Sequence, residues 1–182
     1  MTETEIRKKK PGVKIRPMEV DDLAPVFHLG EILFTARKVP NLYRTWDEYE
    51  VVGLFQSDTE NCFVAEDEDK LVGFALGTVI SKSNSAWKYG HLIWMGVDAA
   101  YARQGVAERL LRFFREAMVE AGVRMMIVDT EADNLPALHF FRKMGFGNPQ
   151  QHIYLSLNLS GRQLPVHEKK ANGRTKRIPN GT

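Results

Sequence analysis

The chain lacks most of the features that announce a function on sight. It has a single cysteine, Cys62. One thiol excludes an intrachain disulfide and a cysteine-rich metal site. Its setting, Asn61-Cys62-Phe63-Val64-Ala65, reads as a strand, so Cys62 is expected to be a buried small hydrophobe rather than a nucleophile. No apolar run approaches the roughly 20 residues that a membrane span needs. The first residues, Met1-Thr2-Glu3-Thr4-Glu5, carry no apolar signal region. A cytoplasmic location with no membrane partner is therefore expected. No Gly-Lys-Ser/Thr is present, which excludes a P-loop, and the spaced glycines of a dinucleotide-binding turn are missing too. There is no internal repeat.

Charge is nearly balanced overall, at +2, but unevenly spread. Residues 1–12 hold four Lys or Arg and two acids; residues 161–182 hold six and one. The remaining 13–160 carry 15 basic and 20 acidic residues. A mildly acidic body argues against a nucleic-acid binder. It suits a cationic substrate such as an amine or a basic peptide, and equally suits a solvated surface of mixed charge. The basic ends, 1–12 and 161–182, are too polar to bury a core and are expected to be disordered. They flank one domain over 13–160.

Within that domain the pattern reads β α α β β β α β α β. Val13 to Pro17 alternates as a strand that stops at proline. Asp21 and Asp22 open an apolar helix. Thr45 to Glu50 starts a second helix, with Thr45 as N-cap and Glu48 three residues on, a capping-box pattern. Cys62–Glu66 and Leu71–Ile80 form a hairpin around Asp67–Lys70, and Trp87–Val97 is the next strand. Val106–Ala121 has helical apolar periodicity and is capped by Gly122. Met125–Asp129 reads as a strand buried on both faces. Asn134 opens a short helix with Pro136 in its first turn. His152–Leu159 alternates as a last strand. Hairpins combined with one β-α-β crossover predict an α/β fold with a mixed, mostly antiparallel sheet and helices on both faces.

The most informative stretch is Val97-Asp98-Ala99-Ala100-Tyr101-Ala102-Arg103-Gln104-Gly105-Val106-Ala107-Glu108. A strand ends, a polar turn follows, and an amphipathic helix begins. The first amides of a helix have no intrahelical partner, and the macrodipole makes that end positive. Such a terminus suits a phosphate or pyrophosphate. Gly105 lets the backbone come close to a ligand. Many strand-to-helix turns share these traits, so the turn alone is also compatible with a plain connection.

A second segment changes its weight: Asn134-Leu135-Pro136-Ala137-Leu138-His139-Phe140-Phe141-Arg142-Lys143-Met144-Gly145-Phe146. With both segments in this order, residues 13–159 resemble the GNAT superfamily of acetyl-CoA-dependent N-acetyltransferases. The second segment resembles the ribosomal-protein N-terminal acetyltransferase branch. The resemblance implies a GNAT-like fold with a splayed strand pair. It implies acetyl-CoA as cosubstrate, its pyrophosphate held by the backbone amides of Gln104, Gly105, Val106, Ala107 and Glu108, with Arg103 as an alternative source of positive charge. The backbone of Met95, Gly96 and Val97 would meet the pantetheine arm, with Gly96 suiting a strand bulge. An amide there could polarise the thioester carbonyl. Asn134 would meet the pantetheine, cap its helix, or do both. Two departures stand out. Ala102 occupies a position where the family has Arg or Gln. Phe141 occupies the place of a tyrosine proposed as general acid, keeping the packing and losing the proton. His139 and Tyr154 are alternative acids.

The base implied by protein-acetylating relatives falls on Asp129, five residues before Asn134; Glu131 has the same facing, and His91 is a further candidate. Each carboxylate is also compatible with being a solvated strand-end acid, or with pairing to Arg124 or Arg142. Phe34, Arg37, Tyr43 and Trp46 lie where the family forms its acceptor pocket, and Phe34 and Trp46 could instead be core. The resulting expectation is acetyl transfer to a primary amine, with a protein N-terminal or lysine amine preferred. A small amine or polyamine acceptor is one alternative. A weakly catalytic acyl-CoA-binding regulatory module is another. No metal and no nucleic acid are expected, and the protein would be a monomer or a homodimer.

Overall fold

A computed structural model describes residues 12–35, 45–81, 87–151, 153, 155 and 157. Strand β1 (Lys14–Pro17) is followed by a 3₁₀ turn, Val20–Asp22, and helix α1 (Leu23–Leu33). Helix α2 (Glu48–Ser57) precedes strands β2 (Cys62–Asp67), β3 (Lys70–Ser81) and β4 (Lys88–Val97). After a 3₁₀ turn at Ala99–Tyr101 come α3 (Val106–Glu120), β5 (Met125–Val128) and α4 (Leu135–Lys143).

The strands form one sheet in the order β1-β2-β3-β4-β5, antiparallel throughout except for the parallel pair β4–β5. This is the mixed sheet expected from the hairpin and the single crossover. Each face carries its own apolar core. On one face Val106, Leu110, Phe114 and Met118 recur every four residues along α3, all buried, and pack with Ala75 and Leu92 of the sheet. Gly77 admits the Phe114 ring: a Cβ there would collide with that ring and with the His91 carbonyl. Truncating a buried aromatic of this kind costs about 3–5 kcal/mol. Residues of α4 and the turn after it, Phe140, Phe141, Met144 and Phe146, pack on the same face.

The opposite face is covered by α1 and α2. Val26, Leu29 and Val51 pack there with Val64, Phe74, Leu76 and Trp94. Trp46 stacks on Phe74 at 5.3 Å and meets Trp94 edge-on at 5.2 Å. A Cβ on Gly30 would overlap the Trp46 indole, so helix α1 presents a bare backbone to it.

Several expectations need correction. The N-cap of α2 is Asp47 rather than Thr45: its carboxylate accepts from the Glu50 amide at 2.8 Å, which starts the helix two residues later. The bulge in β4 is not at Gly96. Trp94 pairs with Leu76 and Leu92 with Gly77, so Ile93 is the extra residue, and Gly96 pairs regularly with Phe74. Strand β5 is not buried on both faces. It is the last strand of the sheet among the described residues, and Met125 and Ile127 are exposed. The strand expected over 152–159 lies largely outside the described residues; Ile153, Leu155 and Leu157 belong to no strand. The ends expected to be disordered, the loop after Ser81, Arg37, Tyr43 and Tyr154 also lie outside them, apart from Gly12.

Candidate active site

The sheet forks at its β4–β5 junction. Their pairing runs only from Tyr89↔Met125 to Leu92↔Val128. Beyond Leu92, β4 continues through Ile93, Trp94, Met95, Gly96 and Val97 with β3 as its sheet partner. The pairing with β5 ends there, because β5 itself ends at Val128. The splayed pair expected from the resemblance is present, and Met95, Gly96 and Val97 lie beyond the last β4–β5 pair.

The fork opens toward the turn that leads into α3. Gly105 is the N-cap of that helix and adopts φ +80°, a left-handed conformation that favours glycine. It has no side chain to cap the helix, so the first amides of α3 receive no side-chain cap from it. Arg103 is also left-handed, at φ +60°. The Gln104 side chain is engaged locally, donating to the Ala100 carbonyl at 2.8 Å. Val106 turns its side chain into the core, which anchors the start of α3. Glu108 is ion-paired with Lys143 of α4, so its charge is countered beside the cradle. These features fit an anionic pyrophosphate held mainly by backbone, as Ala102 demands.

Asn134 caps α4: its Oδ1 accepts from the Ala137 amide at 3.3 Å, and its Nδ2 donates to the Thr130 hydroxyl at 3.1 Å. Phe141 packs edge-on against Phe140 and Phe146, 5.2 and 5.4 Å away. Its ring is part of an aromatic cluster and has no proton to give. His139 is exposed on α4. Glu131 is half-buried in the turn before α4, where its carbonyl accepts from the Asn134 amide.

At the crotch of the fork, His91 and Asp129 meet. Nε2 of His91 lies 2.9 Å from Oδ1 of Asp129. The His91 side chain is largely buried, at 18% exposure, while Asp129 is 44% exposed. Leu92 points to the α3 face, so His91 points to the other face, together with Ile127, its partner across β5. An ionised Asp129 accepts from Nε2–H, which leaves Nδ1 as the ring's proton acceptor. Ile80, Tyr89 and Met125 form the neighbouring row on this face, with Ile80 and Met125 exposed.

Phe34 and Trp46 are partly buried and pack against the core under α1 and α2. Their rings lie 5.2 Å apart, and Trp46 donates to the Phe27 carbonyl at 3.0 Å. Sequence reasoning named both His91 and Asp129 without seeing that they touch. It missed the contacts made by Asp67, Lys70, Asp98 and Tyr101, which join residues 28 and 34 apart and leave no periodic trace.

The sequence model of the acetyltransferase (GNAT) family matches residues 30–146, a span that includes the fork, the cradle turn and α4. The chain belongs to this family. Human N-acetyltransferase 8 is 26% identical over 138 residues, covering 68% of this chain and 61% of that protein. N-alpha-acetyltransferase 30 of Schizosaccharomyces pombe is 29% identical over 90 residues, covering 48% and 57%. The chain therefore spans less than two thirds of these relatives' lengths. Among solved structures, the NatC complex bound to Gag peptide and CoA matches with TM-score 0.65 and 17% identity over 76% of this chain and 86% of that one. The aminoglycoside acetyltransferase AAC(6')-Iy, in complex with a bisubstrate analogue, matches with TM-score 0.64 and 19% identity over 80% and 98%. At these identities the structural likeness establishes the GNAT fold.

Proposed function

We propose that this GNAT protein transfers an acetyl group from acetyl-CoA directly to a primary amine, with the α-amine of a peptide as the preferred acceptor. The observation that carries this reading is the His91–Asp129 pair at the crotch of the β4–β5 fork. The amine nitrogen attacks the thioester carbonyl carbon, the C–S bond breaks, and the nitrogen's surplus proton goes to Nδ1 of His91. Asp129 orients the ring and counters the imidazolium charge. The backbone of Met95 to Val97 offers donors to the carbonyl oxygen as it gains charge. The thiolate leaves unaided: a thiol pKa near 8.5 makes it a tolerable leaving group at neutral pH. Phe141 is compatible with such a reaction.

Thermodynamics favours an α-amine over lysine for this base. Deprotonating an ordinary lysine at pH 7 costs about 4.6 kcal/mol, against about 1–1.4 kcal/mol for an α-amine. Imidazole titrates closest to neutral pH of the common side chains and matches the smaller task. The sheet face beside His91 carries exposed Ile80, Met125 and Ile127 next to the Asp129 carboxylate. That suits an amine on a partly apolar body. Two relatives bear on the acceptor. N-alpha-acetyltransferase 30 is named for α-amines, and the NatC structure holds a peptide.

The test is steady-state turnover with acetyl-CoA and four acceptors: a peptide with a free α-amine, an α-blocked lysine peptide, a polyamine and an aminoglycoside. The α-amine peptide is expected to give the highest kcat/KM. A polyamine or aminoglycoside preferred tenfold or more would overturn the acceptor assignment. Tight CoA binding without turnover on any of the four would favour an acyl-CoA-binding regulatory module.

A further inference from the structure

We propose that the β2–β3 hairpin is a latch that presets the coenzyme A cradle, with Tyr101 and Lys70 as positioning residues for cosubstrate affinity. The inference rests on reading the Arg103–Glu108 turn as the pyrophosphate site.

Asp67 and Lys70 face each other across the mouth of the hairpin turn. Each grips the 3₁₀ turn at Ala99–Tyr101. The Tyr101 hydroxyl donates to Asp67 Oδ2 at 2.9 Å, and the Lys70 ammonium donates to Asp98 Oδ2 at 2.8 Å. That ammonium also stands 5.7 Å from the centre of the Tyr101 ring. The backbone adds two ties. The Asp98 amide donates to the Val72 carbonyl at 2.8 Å, and the free Asp98 oxygen accepts from the Ala100 amide at 2.9 Å.

Only Ala102, Arg103, Gln104 and Gly105 separate this gripped turn from Val106, which is 2% exposed. The entry to the cradle is a four-residue bridge between two fixed points. Two of its residues, Arg103 and Gly105, are left-handed. For Arg103 that conformation is strained and persists only if its surroundings impose it. The hairpin on one side and buried Val106 on the other supply the constraint. A preset cradle spares coenzyme A the entropic cost of ordering the turn. Releasing the latch should weaken cosubstrate binding and leave acceptor binding and the chemical step alone.

The experiment uses the full chain. Calorimetric titration with CoA gives Kd for wild type, Tyr101→Phe, Lys70→Met, their double variant, Asp67→Ala and Asp67→Asn. Steady-state assays at saturating acetyl-CoA give kcat and the acceptor KM. The double variant is expected to bind CoA roughly tenfold more weakly, with kcat and acceptor KM unchanged. Asp67→Ala should match Tyr101→Phe, whereas Asp67→Asn, which keeps an oxygen for the hydroxyl, should bind like wild type. A double-variant Kd within about twofold of wild type would overturn the latch. So would a fall in kcat, or a changed acceptor KM, at an unchanged CoA Kd. If wild type itself failed to bind CoA, the cradle reading would fall and the latch with it, an outcome distinct from wild-type binding that the variants leave intact.

Discussion

Nε2 of His91 sits 2.9 Å from Oδ1 of Asp129, joining β4 to the end of β5 at the point where the two strands part. In our account this pair receives the proton of the attacking amine. Asp129→Asn and His91→Gln are therefore expected to lower kcat by about 10²–10⁴-fold, with CoA affinity unchanged. Initial rates and CoA titration check both points. A full-rate Asp129→Asn enzyme would remove the pair from the mechanism.

Gly105 and Gly122 allow a paired comparison. Both are left-handed, at φ +80° and +74°, and a Cβ at either would meet open space. Alanine at each should cost about 1–2 kcal/mol through the backbone alone. That lowers Tm by about 2–4 °C per kcal/mol for a chain of this size. Only Gly105→Ala should also raise the Kd for CoA. Thermal melts with CoA titration separate the effects; equal CoA affinity in the two variants would contradict the cradle.

Glu108 stands in the first turn of α3, where an uncompensated carboxylate would repel a pyrophosphate. Lys143 pairs with it. Lys143→Ala is expected to weaken CoA binding, and adding Glu108→Gln should restore most of it. Both side chains are well exposed, so stability should change by less than about 1 kcal/mol. CoA titration of wild type and the two variants is the check.

Acid sensitivity is expected at the far edge of the sheet. Burial pushes the Asp22 carboxyl up, but the Arg16 guanidinium at 2.6 Å and the Glu19 amide prevail and hold it below the ordinary value. A carboxylate depressed in the folded state stabilises the fold above its unfolded pKa, about 3.9. That contribution is lost as pH falls through the lower folded value. Asp22→Asn should thus be less stable at pH 7, by about 1.5–3 kcal/mol for lost charged hydrogen bonds. Its deficit should shrink toward pH 2 in urea melts.

Cys62 is fully buried, and burial pushes its thiol up to about 12. The thiolate is the reactive form. The native protein should resist iodoacetamide at pH 8 and become alkylated only on unfolding, as intact mass would show.

Most of the fold was legible because it rests on local signals. The stripe at 106, 110, 114 and 118, the glycine at 122 and the Asn134–Pro136 start each act within a few residues of themselves. One error was itself local: Asp47 outcompetes Thr45 for the α2 cap because its carboxylate reaches the Glu50 amide three residues on. The others fell where a tertiary neighbour decides. The bulge falls at Ile93 because of the register with β3, which β4's own residues do not encode. Apolar content made β5 look buried, although Met125 and Ile127 are exposed. At the site, the cradle turn could be read from its order of residues. The contact between His91 and Asp129 could not, since it depends on how far β4 and β5 stay paired.

The central claim is acetyl transfer to an α-amine without a covalent enzyme intermediate. Isotopically labelled acetyl-CoA, a peptide with a free α-amine and the full chain, followed by mass spectrometry of peptide and protein, tests it most directly. The account predicts label on the peptide's α-nitrogen, one free CoA thiol released per acetyl transferred, and no labelled enzyme at any time. CoA binding with an unlabelled peptide, or label appearing first on the protein, would contradict it.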